Sequence, residues 1–256
     1  MNNTISAIII THNEADQVER CLRGLSWCDE IVIVDSGSTD ETVAIAKKYT
    51  NRVFIEDWKG FGAQKQSALS KASGEWIFTI DADEVIGSAL TEEILYSIKK
   101  EQSAIGFLIP RKNLYGEKWL RFGGQYPDYI LRLFRKKAGK FTESIVHERV
   151  IVEGETKKLK TPIIHYAFKD LTTRIEKLNS YSSLSARQML LSGKTVNSFS
   201  PLIHCASLFI KDYIFRLGFI DGREGFDIAL LKSLGVYFKY AKLLELQYKG
   251  GSDGNT

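Results

Sequence analysis

The first 84 residues predict an α/β fold with a doubly wound, largely parallel sheet. Four short apolar runs, "SAIIIT", "EIVIVDS", "RVFIED" and "EWIFTID", recur along this stretch. A segment with helical spacing separates each run from the next, and a polar cluster directly follows every run. Strands that are apolar on both faces and alternate with helices belong in a parallel sheet covered on both sides. Right-handed crossovers then wind the helices onto the two faces.

Residues 6–11 are a β-branched run and predict the first strand, and residues 14–25 space Val18, Cys21, Leu22 and Leu25 at helical intervals. The second strand is expected over 30–36. Ser38, Thr39 and Asp40 are N-cap candidates for a helix carrying Val43, Ala44 and Ala46. Residues 52–57 predict a third strand, 62–72 a third helix and 75–81 a fourth strand. The rhythm then loosens. A helix over 88–101 has Leu90, Ile94, Leu95 and Ile98 on one side. "AIGFLIPRKN", "DYILRLFRKK" and "HERVIVEG" are expected as strands extending the sheet in mixed directions. Helices are expected over 170–191, 201–222 and 227–246, followed by a flexible end.

At 256 residues, 44% hydrophobic and 26% charged, the chain has an ordinary globular composition. Its three cysteines, Cys21, Cys28 and Cys205, are odd in number and lack zinc-like spacing, so idle thiols in a reducing compartment are expected. The N-terminus lacks the basic and long apolar regions of a signal peptide. No run of ~18 uncharged apolar residues suggests a membrane span. A cytoplasmic location is therefore expected. Residues 110–140 hold nine Lys/Arg against two Asp/Glu, a net +7. Such an excess suits an anionic partner, or is a solvated basic face. No recognised nucleic-acid module accompanies it, and no nucleic-acid partner is expected.

In an open parallel sheet, ligands bind beyond the C-terminal strand ends, where the strand order reverses. Those crests carry Thr11, His12, Asn13 and Glu14; Asp35, Ser36, Gly37 and Ser38; Asp57; and Asp81, Ala82, Asp83 and Glu84. Each alone could be capping or turn chemistry. No G-x-G-x-x-G follows the first strand and no P-loop is present, which disfavours dinucleotide and P-loop chemistry. Asp35 ends the second strand, where an acid can grip a ribose or base. On a continuing strand, Asp81 and Asp83 would share one face, and their repulsion would be relieved by a divalent cation such as Mg²⁺ or Mn²⁺ bound with substrate phosphates.

"AIIITHNEAD", "IVIVDSGSTDET" and "TIDADE", in this order, resemble the nucleotide-binding half of family-2 glycosyltransferases with the GT-A fold. "KWLRFGGQYPDYILRLFRKK", "ESIVHERV", "IIHYAF" and "FIDGREGF" further resemble the bacterial lipopolysaccharide core β-glucosyltransferase group. The resemblance implies a GT-A, Rossmann-like mixed sheet in a catalytic domain over 1–166, with a nucleotide-sugar-binding half (1–100) and an acceptor-side half (101–166). A C-terminal helical region over 167–248 and a flexible tail over 249–256 complete the chain. The implied reaction is inverting, metal-dependent transfer of a hexose, glucose first, from a UDP-sugar to a lipid-linked or phosphorylated glycan such as a lipopolysaccharide core.

By the same resemblance, Thr11, Asn13, Glu14, Asp35 and Gly37 surround the uridine, and Lys65 lies near the nucleotide. Asp81 contacts the ribose or the metal, Asp83 the metal, and Ala82 leaves room for the nucleotide. Glu148 is the base candidate, with Glu143 and Asp128 as alternatives. His147 is a third metal ligand, a phosphate contact or a member of a proton network. Arginines and aromatic residues in 110–140 suit phosphates and sugar rings. "LFIKDYIFRLGF" is either a lid on the core or an interfacial helix meeting the cytoplasmic face of the inner membrane, with Phe209, Phe215 and Phe219 as its aromatic contacts. Two alternatives share the fold: a sugar nucleotidyltransferase, which ordinarily carries a Gly-rich signature after the first strand, and a non-catalytic glycan-binding module.

Overall fold

β1 (Ile5–Thr11) buries side chains on both faces, as its composition requires. Ile5, Ala7 and Ile9 pack on one side and Ile8 on the other. The same alternation runs through β2 (Glu30–Asp35), which follows α1 (Ala15–Arg23). Ile33 joins the first side, and Val32 and Val34 the second. After α2 (Thr42–Ala46), β3 (Val53–Ile55) and α3 (Phe61–Lys71) comes β4 (Trp76–Thr79), where Trp76 and Phe78 oppose Ile77. β5 (Glu84–Val85) and α4 (Ser88–Lys100) follow. Leu22 of α1 and Leu90, Ile94 and Ile98 of α4 fill the first side, and Ala68 and Leu69 of α3 fill the second. Each large side chain so buried contributes about 1.5–3 kcal/mol.

The computed structural model describes residues 3–142, 149–168 and 170–252. They fall into two units: Met1–Lys112 with Pro127–Tyr166, and Asn113–Tyr126 with Ala167–Thr256. The remaining strands are β6 (Gly106–Tyr115), β7 (Lys118–Trp119), β8 (Asp128–Arg135), β9 (Gly139–Phe141), β10 (Val150–Val152), β11 (Thr156–Lys158) and β12 (Ile163–Phe168). The main sheet runs β3-β2-β1-β4-β8-β6-β12-β5. β1 is parallel to both β2 and β4, so the strand order reverses beside β1, and β8 then pairs with β4 antiparallel. The doubly wound half and its mixed extension are therefore both present.

Several elements depart from the sequence-based expectation. The helix after β2 begins at Thr42 with Glu41 at its N-cap position. Of the three N-cap candidates, Asp40 accepts the Thr42 N–H at 3.0 Å, and Ser38 and Asp40 also bond to the loops after β1 and β2. The fourth strand ends at Thr79, and Glu84 N–H donates to Asp81 C=O at 3.0 Å, closing a turn over 81–84. Asp81 and Asp83 therefore do not share a strand face. β10 does not extend the main sheet; it forms a two-stranded ladder with β9, Val150 opposite Phe141.

In the second unit, α5 (Leu171–Leu191) and α6 (Ser200–Phe209) pack on α7 (Gly222–Ser252). Asp170 caps α5 through the Thr173 N–H. The expected helix over 201–222 is broken into three. A π-helical stretch (Ile210–Phe215) follows α6, Leu217 takes a left-handed φ of 59°, and a short 3-10 turn covers Gly218–Asp221. α7 continues to Ser252, into the stretch expected as a tail. A Cβ on Gly225 would lie 2.0 Å from the Gly218 carbonyl oxygen, so glycine is what lets this corner close. The 113–126 hairpin is stapled to the same corner: buried Asp221 accepts from the N–H groups of Arg121 and Phe122 at 2.9 and 2.8 Å. Among the described residues no helix is long and apolar enough to cross a membrane.

Candidate active site

The register between β1 and β2 sets Thr11 opposite Asp35. Asp35 has no exposed surface, and its oxygens accept from Thr11 Oγ1 (2.8 Å), Gly37 N–H (3.0 Å), Ser38 N–H (2.7 Å) and Ser38 Oγ (2.6 Å). Its acceptor positions are filled by the loop it holds. Gly37 has a φ of 80°, which favours glycine in this turn. Asn13 also adopts a left-handed φ, 54°, which asparagine tolerates; its Oδ1 accepts the Thr39 N–H at 2.8 Å. The Glu14 N–H donates to Thr42 Oγ1 at 2.8 Å. Thr11, Asn13, Glu14, Asp35 and Gly37 thus form one braced pair of loops at the crest.

Asp35→Ala is expected to cost about 1–3 kcal/mol, because four donors lose their acceptor. Asp35→Asn should cost far less, since an amide oxygen can serve the Gly37 and Ser38 N–H groups while the hydroxyls turn to accept. Thermal melting of both variants checks this.

The turn after β4 carries a different arrangement. Asp81 Oδ1 lies 3.1 Å from Lys65 Nζ on α3, and Oδ2 lies 2.5 Å from an Arg132 guanidinium nitrogen on β8. The same nitrogen lies 2.5 Å from Glu84 Oε1. Glu84 is fully buried and also accepts the Asp81 N–H at 3.0 Å. Arg111 reaches Glu84 at 3.5 Å and Asp128 at 2.7 Å. Lysine and arginine thus alternate with carboxylates from α3 to β6. Burial works to raise the Asp81 pKa, but Arg132 and then Lys65 outweigh it and hold the group well below the usual carboxylate range. Arg132 Nε is buried without a hydrogen-bond partner among the described residues.

Asp83 leaves the turn in another direction. Its Oδ2 lies 3.3 Å from His165 Nε2 on β12. The pairing follows from register, since His165 stands opposite Glu84 and the Tyr166 N–H donates to the Asp83 carbonyl at 2.9 Å. Ala82 is 5% exposed and packs in the core below the turn. Beneath it, burial and the carboxylates of Glu84, Asp81 and Asp83 push the Cys21 thiol well up, which keeps it protonated and inert.

A cleft of about 740 Å³ opens beside this network, lined among others by Lys65, Asp81, Arg111, Asp128, Tyr129, Arg132 and Arg149. Much of the basic excess in 110–140 is spent internally. Arg135 pairs with Glu75, Lys136 donates to the Ala72 carbonyl, and Lys118 bonds the Asp221 carbonyl and Glu224. Glu143, His147 and Glu148 lie outside the described residues. Two participants were underrated by sequence reasoning. Glu84 alone could be turn chemistry, and no local pattern marks His165; each acquires its distant partner through strand pairing.

Residues 6–151 match the family described as "Glycosyl transferase family 2". A lipopolysaccharide core biosynthesis glycosyltransferase, LpsC of Rhizobium meliloti, is 33% identical over 93% of this chain and 93% of its own. A glycosyltransferase of Rickettsia felis is 30% identical over 94% of this chain and 89% of its own. Among solved structures, glucosyl-3-phosphoglycerate synthase of Mycobacterium tuberculosis in complex with phosphoglyceric acid aligns with a TM-score of 0.50. That alignment is 15% identical, covers 77% of this chain and 82% of that one, and is a likeness of the GT-A fold. The ordered crests of the sheet and the sequence matches lead to one family: the chain belongs to glycosyl transferase family 2.

Proposed function

We propose that this enzyme transfers a hexose, glucose first, from a UDP-sugar to a lipid-linked, phosphorylated glycan of the lipopolysaccharide core type, with inversion and with a divalent cation. The observation that carries the reading is the acidic turn after β4, where the strand order reverses, set beside Lys65 and Arg132 at one cleft. Transfer itself is the family's activity, which leaves the nucleotidyltransferase and the non-catalytic module without support.

Asp83 and His165 offer one oxygen and one nitrogen donor side by side. No group of three or more His, Cys, Asp or Glu among the described residues could hold a metal. Two protein donors suit Mg²⁺ or Mn²⁺ sharing its shell with substrate phosphates and water. Asp81 is already committed to two cations, so Asp83 and His165 would hold the ion, with His147 as the further candidate from sequence. When bound, the ion would offset charge on the diphosphate.

The chain's own groups supply the rest. Lys65 and Arg132 present positive charge where the diphosphate departs. Thr11, Asn13, Glu14 and the loop held by Asp35 bracket the uridine. Glu148 takes the proton from the acceptor hydroxyl as its oxygen bonds the anomeric carbon and the bond to the diphosphate breaks, releasing UDP. Arg111, Arg149 and Tyr129 line the cleft where a phosphorylated sugar would lie.

Calorimetry with nucleotide sugars in the presence of Mn²⁺, followed by transfer to truncated core acceptors, tests the reading; absence of UDP binding would overturn it. Glu148→Gln should keep donor binding and lower transfer about 10²–10⁴-fold. Full activity in that variant would move the base elsewhere.

A further inference from the structure

The second unit turns apolar side chains outward in a short segment. Phe199, Leu202, Ile203, Ile214, Phe215 and Ile220 are all exposed, Phe199 at 72% and Phe215 at 78%. The π-helical stretch after α6 adds an extra residue per turn and divides the side chains. Phe209 and Tyr213 pack against Phe226, with ring centroids 5.7 and 5.6 Å away, while Ile214 and Phe215 stay outside. Phe209 therefore belongs to the packing, and Phe199, Leu202 and Ile203 extend the exposed surface N-terminally.

The charges are sorted by sign. Between 199 and 223 the acids are Asp212 and Asp221, and both are buried, at 1% and 5% exposure. Asp212 is paired with Arg216 at 2.9 Å and Lys232 at 2.5 Å. Lys211, Arg216 and Arg223 remain on the outside. This segment thus offers apolar side chains and cations, with no exposed acid. An isologous contact with a second copy would bring like charges towards one another. A uniformly anionic surface with an apolar layer beneath it is complementary.

We propose that residues 199–223 form a membrane-docking face for anionic phospholipid bilayers. The apolar side chains enter the boundary between headgroups and acyl chains, and Lys211 and Arg223 meet lipid phosphates. The face does not depend on the acceptor assigned above, because the lipids alone supply its chemistry.

The test is co-sedimentation of the full chain with glycan-free vesicles, either pure phosphatidylcholine or a mixture with phosphatidylglycerol. Binding should require phosphatidylglycerol and weaken with salt. Lys211→Glu with Arg223→Glu should weaken it about fivefold or more per site. Phe199→Ser with Phe215→Ser should weaken it at least about tenfold. UDP-sugar binding, measured separately, should be unchanged in all four substitutions, so failure here is distinguishable from failure of the proposed donor. Equal binding to both vesicle types, no binding, or binding that the substitutions leave intact would overturn the proposal. So would a micromolar dimer in lipid-free solution that the same substitutions dissociate, which would make the face a self-association surface.

Discussion

Asp83→Ala is expected to lower glycosyl transfer about a thousandfold while leaving the thermal midpoint nearly unchanged. Electrostatic stabilisation of a departing diphosphate by a cation supplies several kcal/mol, and about 4 kcal/mol corresponds to that factor. The stability side of the expectation comes from geometry. Asp83 is partly exposed and, among the described residues, its ion-pair partner is His165, so its removal strands no buried carboxylate. His165→Ala should fall in the same direction, and the double variant should be little worse than the poorer single one, because residues acting as one unit are non-additive. Steady-state kinetics over a Mn²⁺ titration, with melting curves for each variant, is the measurement. Undiminished activity in Asp83→Ala would remove the aspartate from the site. A lowered melting point with intact Mn²⁺ dependence would make the pair a structural clip.

The two aspartates of "DAD" illustrate how far the sequence carried. Its alternation of apolar runs and helices sufficed for the parallel half, because Ile8 and Ile9, or Trp76 and Ile77, must find cover on opposite faces whatever else happens. The crest residues were legible for the same reason, since parallel strands bring their C-terminal ends to one edge. What a linear reading missed is set by pairing between distant strands. The period-two argument that put Asp81 and Asp83 on one face fails because β4 stops at Thr79 and a turn follows. Their partners, Arg132 and His165, arrive 51 and 82 positions later by antiparallel pairing, and no local pattern signals them. The basic stretch misled in the opposite sense. Its charges look like a surface in sequence, yet Arg132 and Arg135 find buried or half-buried carboxylates.

Arg132→Met is expected to destabilise the first unit by about 3–5 kcal/mol, read as a fall in the urea midpoint. Glu84 has no exposed surface, and removing the guanidinium 2.5 Å from it leaves a buried carboxylate with Arg111, at 3.5 Å, as its remaining ion-pair partner among the described residues. Desolvation of an uncompensated charge, more than loss of the contact, sets this cost. The companion variant Arg132→Met with Glu84→Met should recover much of the stability, because a buried ion pair replaced by apolar side chains of similar volume is often neutral. A network that folding can do without still has to be accounted for. Its product is a cation held against Asp81 at the cleft, where the low dielectric makes that charge count for more than it would in water. The double variant should therefore fold with near-native stability and still transfer at least about a hundredfold more slowly. Full turnover in that stable double variant would reduce the chain from Lys65 to Arg111 to a staple between α3, β8 and β6. Slow turnover would make the buried arginine part of how the enzyme receives the proposed diphosphate donor.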